Sequence, residues 1–243
     1  MLLTVMSLSA NTHHVKPMKS SVTIVPSYPA PDFAELRALA EDIAPVADEL
    51  QVDIVDGEFV AAASWPFVGG DDEPLQELVR LRELPSNISL ELDCMVVAPE
   101  LYLDTFMQLG VDRVIVHYGS TEAYEVCLQH RLDNDYPMGL AVLPTVDLAE
   151  VAPLIAAFDF VQVMGIREVG AQGQAFAPEA LDIIAAIKTE WPDKEVAVDG
   201  AVNQETIRAL VAAGATRLAP GSAIVRAVDR AGALTALQQL ANS

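Results

Sequence analysis

Gln51-Val52-Asp53-Ile54-Val55-Asp56-Gly57 and Val196-Ala197-Val198-Asp199-Gly200 share one design: a short apolar run that carries a carboxylate to the edge of a turn. In the first, Gln51 and Asp53 alternate with Val52 and Ile54, the period-two pattern of an extended strand. A carboxylate in such a run is costly to bury unless it is paired or used. Similar runs recur outward in both directions. Strands are expected at 22–26, 52–55, 88–97, 113–117, 139–143, 160–165, 195–199 and 216–219, with helical periodicity at 33–50, 99–109, 122–131, 149–157, 178–190 and 204–213. Strands followed almost every time by a helix predict parallel β-α units. In a chain of 243 residues, eight such units predict an α/β fold closed into a (β/α)8 TIM barrel. Asp32 with Glu35 reads as a capping box, and Asn203 as the start of the 204–213 helix. Gly110 and Gly214 read as left-handed helix ends just before the next strand.

Residues 21–243 form the barrel domain in this reading. Residues 1–20, with His13 and His14, read as an exposed extension, because no basic segment precedes their apolar run as a signal peptide requires. The stretch Gly69-Gly70-Asp71-Asp72-Glu73 reads as a solvated turn. With 35 acidic and 14 basic residues the formal charge is −21, which argues against nucleic acid and anionic membranes as partners. A small phosphorylated ligand remains compatible, because backbone N–H groups can hold it. Cys94 and Cys127 form no C-x-x-C pair, and no apolar run is long enough to span a membrane, so a cytoplasmic setting is expected. A homo-oligomer is compatible with the sequence.

Active sites of such barrels lie at the carboxyl ends of the strands. The polar residues expected there are Ser27, Gln51, Asp53, Asp93, His117 and Asp199, with Met95 and Met164 beside them. Asp56 reads as a turn residue, and Glu91 as deeper, pairing within the lower barrel. His117 is either a hydrogen-bonded wall residue or a participant. The methionines are core or an apolar lining that excludes water. Asp53, Asp93 and Asp199 converge without a basic partner in their own motifs, which calls for a cation, a shared proton or a substrate. Small residues cluster in three successive loops: Gly173-Gln174, Gly200-Ala201 and Gly221-Ser222. They let backbone N–H groups approach an anion, with a helix expected to start at Ser222.

In these blocks the chain resembles the ribulose-phosphate 3-epimerase family. The resemblance rests on Val25-Pro26-Ser27 with Asp32-Phe33, Asp53-Ile54-Val55-Asp56-Gly57-Glu58-Phe59-Val60, Leu92-Asp93-Cys94-Met95-Val96 and Val116-His117. It continues through Gly173-Gln174-Ala175-Phe176, Val198-Asp199-Gly200-Ala201-Val202 and Gly221-Ser222-Ala223-Ile224. It implies interconversion of pentulose 5-phosphates at carbon 3, with Asp53 and Asp199 as the acid/base pair. It implies Ser27, Met95 and Met164 at the sugar, and Gly173, Gln174, Gly200, Ala201, Gly221 and Ser222 at the phosphate. It also implies a divalent metal held by two histidines and two aspartates, but here those histidine positions are Gln51 and Asp93. The metal set becomes Gln51, Asp53, Asp93 and Asp199, all oxygen, which favours Mg2+ or Mn2+ over Zn2+. Three ionised carboxylates would attract a developing oxyanion less well than the family's neutral pair of histidines and two carboxylates. The function expected is a carbon-3 epimerase acting through an enediolate. The alternatives are a lyase or decarboxylase on a sugar phosphate, or a barrel that binds a sugar phosphate without turning it over. The lysine usual in the former near the third strand is absent from Glu91-Leu92-Asp93-Cys94-Met95.

Overall fold

The computed structural model describes residues 21–68, 74–170 and 173–243. The extension 1–20 with His13 and His14, the acidic stretch 69–73, and Ala171 and Gln172 lie outside the described residues.

Eight parallel strands form a closed ring. The first, β1, is split into Thr23–Ile24 and Ser27–Tyr28. The others are β2 Glu49–Val55, β3 Ser89–Met95, β4 Arg113–His117, β5 Met138–Val142, β6 Phe160–Met164, β7 Glu195–Asp199 and β8 Arg217–Ala219. The first half of β1 pairs with β8 and the second with β2, which closes the sheet. Pro26 causes the split, because it has no N–H to give the ladder. Its carbonyl still accepts from the Gln51 N–H at 2.8 Å, and Val25 and Ser27 donate to the carbonyls of Leu218 and Pro220 at 2.9 and 3.2 Å. The strand expected to end near 26 therefore runs on to Tyr28.

The helical layer comprises α1 Phe33–Ile43, α2 Pro74–Leu78, α3 Leu103–Gln108, α4 Tyr124–Asn134, α5 Leu148–Ala157, α6 Glu179–Glu190, α7 Ile207–Ala213, α8 Ser222–Val225 and α9 Arg230–Ala241. Several differ from the periodicity. The helix expected over 33–50 stops at Ile43, because Pro45 cannot continue the backbone ladder, and Glu49 already belongs to β2. The helix expected from 204 starts at Ile207, since the Asn203 side chain first closes a turn by accepting from the N–H groups of Glu205 and Thr206. Asp32 caps α1 through the Glu35 N–H at 2.9 Å, but the reciprocal half of the capping box is missing: the Glu35 carboxylate accepts from the Tyr28 hydroxyl instead. Gly110 and Gly214 adopt the left-handed conformation as expected (φ +81° and +114°). Among the described residues no helix is long and apolar enough to cross a membrane.

Strand alternation separates two buried environments. Val52, Ile54, Leu92, Val114, Val116, Leu140, Val161, Val163, Val196 and Val198 face outward and join Leu36, Leu39, Ile184, Ile187, Leu210 and Leu237 in the main core. Ile115, Ala141, Phe160 and Met164 form a smaller cluster inside the barrel. Below them lies an ionic layer. Glu91 meets Arg113 at 3.0 Å and Arg217 at 3.3 Å, Arg217 reaches Glu49 at 2.5 Å, and the Arg113 guanidinium lies 4.0 Å over the Phe160 ring. Glu91 thus pairs in the lower barrel, as its depth on β3 suggests. Burial pushes its carboxyl upward against the pull of Arg217 and Arg113.

Candidate active site

Register brings the interior carboxylates together. Asp53 on β2 lies opposite Asp93 on β3, and Asp199 ends β7 opposite Met164 on β6. One carboxylate oxygen from each of Asp53, Asp93 and Asp199 lies within 4.8 Å of the others, and all three residues are buried. This triad is a candidate site for a divalent cation.

Side-chain hydrogen bonds hold the carboxylates in place. The Gln51 Nε2 group donates to Asp53 Oδ1 at 2.9 Å and to Asp199 Oδ2 at 3.0 Å, so one amide links the two aspartates. Ser27 Oγ donates to Asp199 Oδ1 at 3.3 Å. Asp93 has a separate pair of partners: His117 Nε2 at 2.7 Å from Oδ1 and Gln162 Nε2 at 3.0 Å from Oδ2. His117 is thus hydrogen-bonded within the barrel wall, with the Phe59 ring at 5.6 Å. Gln162 is fully buried, and its Oε1 lacks a partner among the described residues. Sequence reading passes over it, although a polar residue between Val161 and Val163, two before Met164, is the same signal that marks Asp53.

Burial and proximity raise the affinity of this cluster for protons. Asp53 is held well above the carboxylate range by desolvation and then by the charges of Asp199 and Asp93, with Gln51 acting against them. Asp199 is pushed up to about 7 by desolvation and Asp93, opposed by Gln51, the Gly200 N–H and His117. Both carboxyls thus hold a proton more tightly than an ordinary aspartate, Asp199 up to about pH 7.

A pocket opens above the pair. Ser27, Asp53, Met95, Met164, Gly173, Asp199, Gly200, Ala201, Gly221 and Ser222 all line it, joined by Pro29, Ile166, Gly170 and Val202. Gln51, Asp93 and His117 are buried beside this set without lining the pocket. The Gln174 amide donates to the Glu168 carbonyl at 2.5 Å, and its side chain is not among the lining residues. The helix starting at Ser222 is a single turn, so its dipole is small, and anion binding would rest on the loop N–H groups.

The carboxylate triad fits a hard divalent cation: its donors are oxygens, and a cation would relieve the repulsion that raises Asp53 and Asp199. Gln51 turns its amide nitrogen toward the two aspartates, so it could join as a ligand only after the amide rotates to present Oε1.

The loop after β7 is tightly built. A methyl on Gly165 would come within 2.0 Å of the Gly200 carbonyl, and Gly200 takes φ +95° against Ile166. Ala201 follows with φ +55°, a left-handed conformation that costs an alanine about 1 kcal/mol. Ala201→Gly should therefore stabilise the fold by about 0.5–1 kcal/mol in urea denaturation. No gain would show that the loop is not strained there.

The comparisons with known proteins agree with this geometry. A model described as the ribulose-phosphate 3 epimerase family matches residues 23–225. A ribulose-phosphate 3-epimerase from Mycobacterium leprae is 30% identical over 227 residues, covering 90% of this chain and 95% of that protein. One from Schizosaccharomyces pombe is 29% identical over 208 residues, covering 84% and 87%. The barrel also resembles a solved 3-hexulose-6-phosphate synthase from Salmonella typhimurium (TM-score 0.68, 16% identity, 90% and 98% covered). At that identity the solved structure speaks for the fold alone. With the family model matching most of its length and both carboxylate strands, the chain belongs to the ribulose-phosphate 3 epimerase family.

Proposed function

We propose that this barrel enzyme inverts carbon 3 of a phosphorylated ketopentose of the ribulose 5-phosphate type, with Asp53 and Asp199 as the proton-transfer pair. The observation that carries the reading is the Gln51 amide, bonded at 2.9 and 3.0 Å to carboxylates on β2 and β7. The pair belongs to one site yet comes from separated strands, as two-face proton transfer at one carbon requires. The ionised member removes the carbon-3 proton, and the protonated member returns one to the opposite face. A carboxylate raised toward neutrality is a better base for this step than one at its ordinary value of about 4. Negative charge then develops on the carbon-2 oxygen. The pocket-lining hydroxyl of Ser27 is the donor for that charge once it releases Asp199 Oδ1, and Met95 and Met164 keep the surroundings dry. A divalent cation bound at Asp53, Asp93 and Asp199 would add Lewis-acid stabilisation of that charge. The loop N–H groups of Gly173, Gly200, Ala201, Gly221 and Ser222 hold the phosphate in this reading.

Incubation with D-ribulose 5-phosphate in D2O, followed by NMR, should show deuterium entering carbon 3 and xylulose 5-phosphate forming. Tight binding without exchange would leave a ligand-binding barrel. A carbon–carbon cleavage product would point to lyase chemistry.

A further inference from the structure

The chain carries far more acid than base, and its described cations are almost all engaged. Arg37, Arg80, Arg113, Arg131, Arg167, Arg217 and Arg230 each meet a carboxylate. Arg82, Lys188 and Lys194 donate to backbone carbonyls. Among the described residues, Arg208 and Arg226 make no side-chain hydrogen bond or ion pair. Arg208 lies on the exposed side of α7. Arg226 is different, because it stands at the rim of the pocket. It caps the C-terminus of α8, where its N–H reaches the Ser222 carbonyl at 3.3 Å. Its guanidinium lies over Gly173, close enough that a methyl there would sit 3.3 Å from Nη2. Ser222 and Gly173 both line the pocket. The only free guanidinium next to the pocket, among the described residues, therefore bridges two of the loops assigned to the anion.

We infer that Arg226 is the side-chain clamp on the ligand's phosphate, and that it selects a phosphorylated sugar over the free sugar. The inference rests on the proposed reading of this pocket as a sugar-phosphate site. Three physical arguments support it. Backbone N–H groups supply geometry but little net charge, and a dianion entering a protein of charge −21 meets a repulsive field. A guanidinium offers paired donors that match phosphate oxygens. An exposed, unpaired arginine loses no existing partner on binding, unlike the paired arginines elsewhere. Gly173 has a second use here, because a side chain at that position would displace the guanidinium.

The test compares wild type with Arg226→Ala, Arg226→Lys and, as a control, Arg208→Ala, by calorimetric titration with inorganic phosphate at low ionic strength. Arg226→Ala should weaken phosphate binding roughly 10- to 100-fold, the range for a charge-assisted contact. Arg226→Lys should recover part of the loss, Arg208→Ala should match wild type, and added salt should narrow the gap. In turnover, Arg226→Ala should raise KM far more than it lowers kcat. Equal phosphate affinity in wild type and Arg226→Ala overturns the inference, as does wild type that binds no phosphate or an Arg208→Ala loss of the same size. The epimerase reading is judged apart from this, by deuterium entry at carbon 3. A protein that binds phosphate through Arg226 but exchanges no proton would keep the clamp and lose the proposed reaction.

Discussion

Asp53→Asn should abolish turnover while making the protein more stable above neutral pH. The asparagine keeps the shape and can still accept from Gln51, so the pocket should persist. What disappears is one of two proton carriers, and losing a general acid or base costs about 10²–10⁴ in rate. The stability change follows from linkage. Asp53 and Asp199 are held above their unfolded values. Their contribution is therefore complete below about pH 4 and is lost as pH rises through the folded values, about 7 for Asp199. Above that, the fold must contain mutually repelling buried charges. Removing Asp53 relieves this and lets Asp199 ionise more easily, a gain on the order of 1–3 kcal/mol at pH 8. Urea denaturation at pH 5 and pH 8 in the presence of a chelator measures it. The gain should be small at pH 5, and saturating Mg2+ should shrink it at pH 8 by stabilising the wild-type triad. Full turnover in Asp53→Asn would end the two-carboxylate mechanism. An unchanged stability at pH 8 would mean that the cluster is not electrostatically loaded.

Arg217→Met should have the largest effect on folding. Arg217 and Glu91 are 4% and 2% exposed, and the arginine joins β8 to β2 and β3 through Glu49 and Glu91. Deleting one partner of a buried ion pair costs about 3–5 kcal/mol; here Glu91 would be left with Arg113 alone and Glu49 would lose its arginine. The double variant Glu91→Leu with Arg217→Met should recover much of that, since an apolar pair of similar volume can replace a buried ion pair. Denaturation midpoints of the two variants decide the point. A mild single variant would show that Arg113 alone satisfies Glu91.

These two layers also show how far sequence reading reaches. Asp53 and Asp199 stand out because alternation places them on the inner face of apolar strands, and that pattern is local. The glycines before β4 and β8 are legible for the same reason. The partners of Glu91 are not, because Arg113 and Arg217 sit on strands that meet β3 or close the ring only after folding. Pro45 explains the overlong first helix, a break that a hydrophobic period does not register. The substitution of two histidine positions by Gln51 and Asp93 is visible in the chain. That Gln51 couples two acids while Asp93 turns to His117 and Gln162 depends on side-chain direction, which spacing does not encode.

The divided first strand couples assembly to competence. Thr23–Ile24 pairs with β8 and Ser27–Tyr28 pairs with β2, so the same short stretch both seals the cylinder and delivers the Ser27 hydroxyl to Asp199. An unsealed form would have two raw sheet margins and an unfinished site at once. Any molecule able to turn over substrate has, by construction, already fastened its seam.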